Sequence, residues 1–291
     1  MFRRLFLLLL ILPLGAYADD GVPDILRGEA WFTGSLNSTG AKALPEGHFL
    51  AEPYLAEAIG PSRHMLQSLN LLLYGVTDEL TVGIVPRFSW RDQAGIGDLT
   101  ARIQYRFTDY DEASGRPALA LVINQDLPSG KYDRLGSRDA TGGGAYTTHL
   151  GLLADDYLTI DGRPLRLRLN LSAGASAPVG LEDRSVYGTP DGFKGRARPG
   201  MVYDATFALE YSLSTRWAAA LDISYDRGDA TRIDGGAFRA ASPIRQSADL
   251  VPAIEYNWTA YTGLIVGVQL PAWQHGTPRV IFPMAALNCV F

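Results

Sequence analysis

Cysteine is nearly absent from this sequence of 291 residues, which has Cys289 and no other. A lone cysteine cannot form a disulfide within the chain, so a disulfide-stapled scaffold is excluded. Strong net charge is also lacking, because 26 Lys and Arg residues stand against 31 Asp and Glu residues. We therefore expect no nucleic acid among the partners, since that interaction uses a strongly basic surface.

Long hydrophobic runs are missing beyond the first residues. The apolar run 5–14 follows two arginines and precedes a small-residue site that ends at Ala18. The run is shorter than the roughly 20 residues that a membrane-spanning helix needs, and its flanks are typical of a secretory signal peptide. We predict that residues 1–18 are a signal peptide and that cleavage follows Ala18.

Histidine is scarce, and no histidine is placed for catalysis. No His or Cys pair has the spacing of a metal site. No histidine has a serine or aspartate at a spacing that would put a base against a nucleophile on one strand face. We predict no enzymatic activity, no metal and no cofactor, and a lipid-modifying enzyme is the weakest functional alternative. The histidines are His48, His64, His149 and His275.

The sequence is rich in alternating apolar and polar residues. In the stretch LTARIQYRF, Leu99, Ile103 and Phe107 fall on one face, while Arg102 and Arg106 fall on the other. A period of two predicts β-strands with one apolar face. The segments are about ten residues long and are joined by alternating short and long connections, as in transmembrane barrels. A soluble sandwich would explain the alternation but not these two features.

These segments predict an all-β fold, a closed antiparallel transmembrane β-barrel of about 12 strands. The barrel would occupy residues 47–291, and its closure would leave no unpaired strand edge in lipid. The candidate strands are 48–58, 64–74, 79–90, 97–107, 117–127, 145–155, 164–176, 201–212, 216–226, 245–256, 261–270 and 280–291.

The segment 19–46 precedes the barrel and contains the apolar stretch ILRGEAWF. We expect this segment to lie in the periplasm or to enter the lumen. On the last predicted strand, Phe282, Met284, Ala286 and Val290 have the inward parity although they are apolar. Either this wall packs against the inserted segment, or it forms a path for a hydrophobic solute.

Charged and polar residues have the inward parity on most strands, with the basic ones earlier in the chain than the acidic ones. They either form opposite walls of a water-filled pore, or fill the lumen as cross-strand ion pairs such as Arg166 with Glu210. The predicted lumen-lining residues are Arg87, Arg102, Gln104, Arg106, His149, Arg166, Arg168, Asp204, Glu210, Asp222, Asp226, Asp249 and Glu255.

Two further features concern the membrane. Phe291 follows alternating apolar positions on the closing strand, a pattern similar to the signal that the barrel-assembly machinery of outer membranes reads. We therefore expect Phe291 to act as an assembly signal. In the predicted outer loop YGTPDGFKGRARPG, Lys194, Arg196 and Arg198 could bind lipopolysaccharide phosphates through charge-assisted hydrogen bonds. A loop whose charges are merely solvated is the alternative.

Several stretches, in a fixed order, resemble one family. They are LPEGHFLAEPYL, YGVTDELTVGI, GIGDLTARIQYRF, PALALVINQDLPSGKYD and TGGGAYTTHLGLLA. They include a Gly-x-Gly-Asp before one strand and a Leu-Pro-Ser-Gly after the next. These stretches resemble the outer-membrane channel family named for the meta pathway of phenol degradation, over residues 44–291. The resemblance implies an outer-membrane barrel that transports aromatic or other hydrophobic compounds, and it supplies no binding residues.

Together, these observations predict a Gram-negative outer-membrane channel for the passive passage of small hydrophobic or aromatic molecules. The expected partners are outer-membrane lipid and lipopolysaccharide, the barrel-assembly machinery and a small hydrophobic solute, and the chain is expected to be a monomer. The main alternative is a non-transporting structural or envelope-integrity barrel whose lumen is filled by salt bridges.

Overall fold

The structure is a computed structural model that describes residues 30–61, 63–91, 93–236 and 238–291. The predicted signal peptide, its cleavage site and residues 19–29 lie outside the described residues. The described strands are β1 (Phe49–Gly60), β2 (Arg63–Gly75), β3 (Leu80–Val85), β4 (Arg87–Trp90), β5 (Ala94–Ile96), β6 (Leu99–Thr108), β7 (Ala118–Leu127), β8 (Thr147–Ile160), β9 (Arg163–Ser176), β10 (Val179–Leu181), β11 (Gly195–Arg198), β12 (Val202–Ser212), β13 (Trp217–Gly228), β14 (Arg232–Gly235), β15 (Phe238–Ala241), β16 (Arg245–Asn257), β17 (Thr262–His275) and β18 (Phe282–Val290). Among the described residues, no helix is long and apolar enough to cross a membrane.

The strands close into an antiparallel barrel of 12 strands, which confirms the predicted fold class. Closure occurs at β1, which pairs with β18 on one side and with β2 on the other. Two barrel strands are interrupted: β3 and β4 meet at Pro86, and β5 and β6 meet at residues 97–98. The break at Pro86 follows from its missing N–H, which cannot contribute to the ladder of hydrogen bonds.

The two ends of the barrel differ in the length of their connections. The short-turn end carries the connections 76–79, 109–117, 161–162, 213–216 and 258–261, and the three longest connections, 128–146, 177–201 and 229–244, all lie at the long-loop end. At the two-residue turn between β8 and β9, Asp161 and Gly162 have φ angles of 51° and 72°. This left-handed conformation is the one that two-residue hairpins require, so β8 can run directly into β9.

One difference from the predicted strands lies just before this turn. The predicted strand 145–155 was too short, because β8 continues to Ile160. The Asp155-Asp156 pair suggests a turn in the sequence, but Asp155 is 2% exposed and lies inside the barrel. The ion pairs described below allow a carboxylate to occupy this buried strand position.

The outward face of the barrel is apolar. On β6, Ile103 and Tyr105 are exposed, while Arg102 and Gln104 on the other face are buried. A closed barrel with such an outer surface would be unstable in water, so the strands span a membrane. Exposed aromatic residues lie at both ends, with Phe107, Trp217 and Trp258 at the short-turn end and Trp90, Tyr203 and Tyr225 at the long-loop end.

A second sheet lies beyond the long-loop end and consists of β10, β11, β14 and β15 in that order. These short strands adjoin β9, β12, β13 and β16 in the chain, which are neighbours in the barrel in the same order. The outer sheet therefore prolongs one part of the barrel wall. One of its faces is buried, with Val179, Leu181, Ala197 and Ile233 packed around Phe193. The sequence prediction of loops at these positions was wrong, because strands of three or four residues are too short to show alternation.

Candidate functional site

Residues 30–48, here called the plug segment, run inside the barrel. The segment starts at the short-turn end, where the Trp31 N–H donates to a carbonyl of the turn between β12 and β13. Farther up the lumen, the Asn37 side chain lies 3.2 Å from the hydroxyl of Ser224. The segment then returns to the short-turn end, where the Glu46 N–H donates to the turn between β2 and β3. The plug segment is therefore a loop inserted from the short-turn end.

Side chains of the barrel wall form hydrogen bonds with the backbone of the plug segment. A buried loop needs such bonds, because its N–H and C=O groups cannot reach water. Three wall carboxylates accept its N–H groups: Asp222 from Asn37 at 2.8 Å, Glu255 from Thr33 at 2.9 Å and Asp155 from Ala41 at 3.0 Å. Wall donors reach its carbonyls: Gln104 donates to Gly40 and Lys42 at 3.0 Å each, and Arg168 donates to Ser38 at 3.1 Å.

A buried ion-pair cluster lies where the plug segment touches β8, β9 and β12. The Glu210 carboxylate lies 3.3 Å from Nε of Arg166 and 3.0 Å from Nε of Arg168. Asp155 lies 4.0 Å from Nε of Arg168. A Cβ at Gly34 would be 3.2 Å from an Arg168 nitrogen, and the φ of Gly34 is +126°. Glycine thus lets the plug backbone approach the cluster closely.

A cavity of 720 Å³, here called the large chamber, lies on the long-loop side of the plug segment, and Leu36 and Asn37 form part of its lining. Its two sides differ in polarity. One wall, from β1, β2 and β18, is mainly apolar, while the wall from β4 and β6 through β8 to β12 and β13 is polar. The apolar wall includes Tyr54, Leu69, Leu71, Phe282 and Met284. The large chamber is therefore amphipathic.

Charges of both signs line the polar wall of the large chamber. Asp126 lies 3.5 Å from Nη1 of Arg87 and 3.3 Å from Nε2 of His149. Farther round the wall, Asp204 and Asp226 are directly opposite each other across β12 and β13. The charges of the large chamber are thus mixed around Asp126 and acidic at Asp204 and Asp226.

Two smaller cavities adjoin the plug segment and the loops. A cavity of 220 Å³ lies between the plug segment and the wall near the short-turn end, and its lining includes Glu52 and Asn288. A cavity of 460 Å³, here called the loop chamber, shares Asp126 and His149 with the large chamber. The plug segment therefore separates the two larger cavities from the small one.

Loop 128–146 forms part of the roof of the loop chamber and is attached to the wall by Asp98. The two carboxylate oxygens of Asp98 accept the N–H groups of Gly130 at 2.9 Å and Gly143 at 2.7 Å. A Cβ at Gly142 would collide with this carboxylate, so the close approach requires glycine. The Gly-x-Gly-Asp, Leu-Pro-Ser-Gly and Thr-Gly-Gly-Gly stretches of the sequence thus meet at one point.

The same loop is joined to its neighbour, 177–201. The Tyr187 hydroxyl donates to the Gly143 carbonyl at 2.5 Å. Burial raises the pKa of Tyr187 to about 12, so this hydroxyl remains a donor even in mildly alkaline solution. The Leu135 N–H also donates to the Arg184 carbonyl at 3.0 Å. The two loops therefore form one connected roof.

The residues predicted to line the lumen fall into separate groups. Arg87, Arg102, His149, Asp204 and Asp226 line the large chamber, while Gln104, Arg168, Asp222 and Glu255 bind the plug segment. Arg166 and Glu210 belong to the ion-pair cluster, Asp249 is buried on β16, and Arg106 donates to the Asp78 carbonyl at the short-turn end.

The remaining predicted residues lie at the two ends of the barrel. Lys194, Arg196 and Arg198 are exposed on or next to β11 of the outer sheet. Phe291 exchanges two backbone hydrogen bonds with Phe49, at 2.8 and 3.1 Å, and so continues the pairing that closes the barrel. Within the described part of the chain, no group of three or more His, Cys, Asp or Glu side chains is placed to hold a metal ion.

Three important acidic residues were not identified from the sequence: Asp98, Asp126 and Asp155. Asp126 and Asp155 have the inward parity on β7 and β8, and this parity could have indicated them. Asp98 lies in a break between β5 and β6 and has no periodic signal. Its position between a Gly-rich turn and a strand was the available clue, but its partners are about 30 or more residues away in sequence.

No protein-family model and no curated protein matches this chain. Solved structures do match. The COG4313 outer membrane channel from Pseudomonas putida F1 is 17% identical, covers 88% of this chain and 100% of its own, and has a TM-score of 0.67. The TodX monoaromatic hydrocarbon channel is 12% identical, covers 85% of this chain and 90% of its own, and has a TM-score of 0.37. The first likeness shows that this chain shares its fold with an outer-membrane barrel.

Proposed function

We propose that this protein is an outer-membrane channel for the passive passage of small hydrophobic or aromatic molecules. The observation that carries the proposal is the large chamber of 720 Å³, which has an apolar wall opposite a polar one. A volume of this order suits a small organic molecule. An aromatic solute could lie against Phe282 and Met284 while its polar groups face β6 to β8.

The placement in the outer membrane rests on the closed barrel and its apolar outer surface. Closed β-barrels with short turns at one end and long loops at the other are the architecture of bacterial outer membranes. In such barrels the short turns face the periplasm. The plug segment would then lie on the periplasmic side of the large chamber, and the loop chamber would face the cell exterior.

A second candidate function is a non-transporting structural barrel. The observation in its favour is the plug segment, which is bound to buried wall carboxylates and packed on the Arg166–Glu210 cluster. If this arrangement never moves, the lumen stays blocked between the large and the small cavities. The channel proposal instead requires that solute passes beside the plug segment or that the segment moves aside.

Ion conductance of the purified full chain in a planar lipid bilayer distinguishes these two functions. A channel gives discrete current steps at low voltage, whereas a permanently blocked barrel gives none. The current should fall reversibly when a small aromatic alcohol is added, because the solute occupies the large chamber. A sugar of similar size should leave the current unchanged, since the apolar wall offers it little attraction.

Single substitutions connect this block to the large chamber. Phe282→Ser should weaken the aromatic block, because it removes an apolar side chain from the chamber wall. The matched control is Thr206→Ala, which changes a chamber residue on the polar wall. An equal block in both variants and in the unaltered protein would contradict the proposed binding mode, and an absence of current would contradict the channel itself.

The proposed partners are membrane lipids and the barrel-assembly machinery. Lipid surrounds the outer belt of any membrane-spanning barrel, and lipopolysaccharide is the outer-leaflet lipid that the long-loop end would meet. Phe291 would act as a signal for the barrel-assembly machinery, and the chain would work as a monomer without a cofactor or a catalytic step. The pairing of Phe291 with Phe49 supports a role for this residue in closing the barrel.

A further inference from the structure

The exposed face of the outer sheet is basic. Residues opposite each other in an antiparallel pair share a face, so the register of β11, β14 and β15 identifies this surface. Arg196 is opposite Asp234, which is opposite Arg239 on the next strand. Arg198 is opposite Arg232. The basic face consists of Lys194, Arg196, Arg198, Arg232 and Arg239 around Asp234, and the sequence analysis had identified only the first three.

Like charges lie directly across from each other on this face. Arg198 and Arg232 are partners in the β11–β14 ladder, and such pairs of equal charge destabilise a sheet. One carboxylate, that of Asp234, lies within the face, 3.5 Å from Nη1 of Arg198. Among the described residues of this face, the basic side chains therefore outnumber the acidic one. An anion bound between the strands would relieve the repulsion.

The position of the basic face indicates which anion it would meet. Tyr203 and Tyr225 are exposed near the long-loop ends of β12 and β13, where aromatic residues mark the membrane interface. Arg198 precedes Tyr203 by five residues, so the two lie at most about 17 Å apart along an extended strand. The basic face thus begins just beyond the interface, at the level of lipid headgroups.

We propose that the basic face is a binding site for the phosphate groups of lipopolysaccharide. This inference rests on the proposed placement in the outer membrane, with the long loops outside. Arginine binds phosphate through two parallel charge-assisted hydrogen bonds, and facing arginines can hold one group from both sides. The outer sheet holds these arginines in register because its other face is packed on Phe193 and Ile233.

Binding of a defined lipid to the purified full chain tests this site. The variant is Arg198→Gln with Arg232→Gln, and the matched control is Arg138→Gln with Arg184→Gln, two exposed arginines of the neighbouring loops. Diphosphorylated lipid A and the same lipid without its phosphates are titrated against each protein. We expect half-saturation with the phosphorylated lipid to need about tenfold more lipid in the variant, from the loss of charge-assisted bonds.

The control should bind the phosphorylated lipid like the unaltered protein, and the dephosphorylated lipid should not distinguish the proteins. Equal weakening in the control, or unchanged binding in the variant, would overturn the site. Inorganic phosphate is the third probe: if it binds as tightly as the lipid, the site takes a free anion and the proposal is wrong. The folded state of each variant is checked by its mobility on an unheated gel.

Conductance measured on the same preparations separates this inference from the proposed channel. The basic face lies outside the lumen, so the Arg198→Gln, Arg232→Gln variant should keep the current of the unaltered protein. A protein that binds the lipid without conducting would refute the channel and leave the site. If the protein conducts but binds phosphorylated and dephosphorylated lipid A equally well, the phosphate site is refuted and the channel is not.

Discussion

Replacing Asp222 with alanine should loosen the plug segment where Asn37 contacts the wall. Asp222 is 1% exposed, and its carboxylate accepts the Asn37 N–H at 2.8 Å, at the part of the segment farthest from the short-turn end. A hydrogen bond to a charged group contributes roughly 1.5–3 kcal/mol. Its loss would raise the ratio of displaced to seated segment by roughly ten- to a hundredfold.

Single-channel recording in a planar bilayer measures this change. If the seated plug segment restricts the lumen, Asp222→Ala should show more frequent or longer openings than the unaltered protein. A cysteine replacing Asn37, in a background with Cys289→Ala, should also react faster with a small water-soluble thiol reagent when Asp222 is alanine. Both readouts follow from the same displacement, so they should change together.

Asp249→Ala is the matched control. Asp249 lies on the neighbouring strand β16, opposite Ser224 of β13, and is buried to a similar degree, 4% exposed. Asp249→Ala removes the same charge from the same wall but leaves the Asp222 carboxylate, which accepts the Asn37 N–H. An equal rise in open probability in both variants would mean that lumen charge, not the plug segment, controls the current. Unchanged openings and unchanged thiol reactivity in Asp222→Ala would refute the reasoning.

Three further predictions concern the roof, the ion-pair cluster and assembly. Asp98→Ala should speed proteolysis within loop 128–146 by at least about tenfold, because two backbone bonds lose their acceptor, whereas Asp111→Ala in a short turn should leave that cleavage unchanged. Glu210→Ala should lower the unfolding free energy measured in urea by roughly 3–5 kcal/mol, because Arg166 and Arg168 lose their buried partner. The control is Glu57→Ala, which removes an exposed carboxylate. If Glu210→Ala lowered the unfolding free energy no more than Glu57→Ala, the prediction would be wrong. Phe291→Asp should reduce the yield of folded barrel in the outer membrane, while the same variant refolded in detergent keeps its stability; a normal yield would refute the assembly signal.

Much of the barrel could be predicted from the sequence, because alternation is a local property of each strand. Every predicted strand corresponds to an observed barrel strand, and the closed architecture follows from their number and from the apolar outer face. The inward parity of residues such as Arg166 and Glu210 also follows from a period of two. Strand ends were less reliable, since Asp155 has the composition of a turn but the position of a buried strand residue.

The strands, the faces of their side chains and the membrane setting could be predicted from the sequence, since each depends on neighbours within a few positions. The partners of those faces follow from the three-dimensional arrangement of the chain. Asp222 binds Asn37, which is 185 positions away, and Asp98 binds glycines 32 and 45 positions away. The basic face likewise exists because β11 and β14 pair in one register. Such contacts depend on how distant strands are arranged in space, and no local pattern records that arrangement.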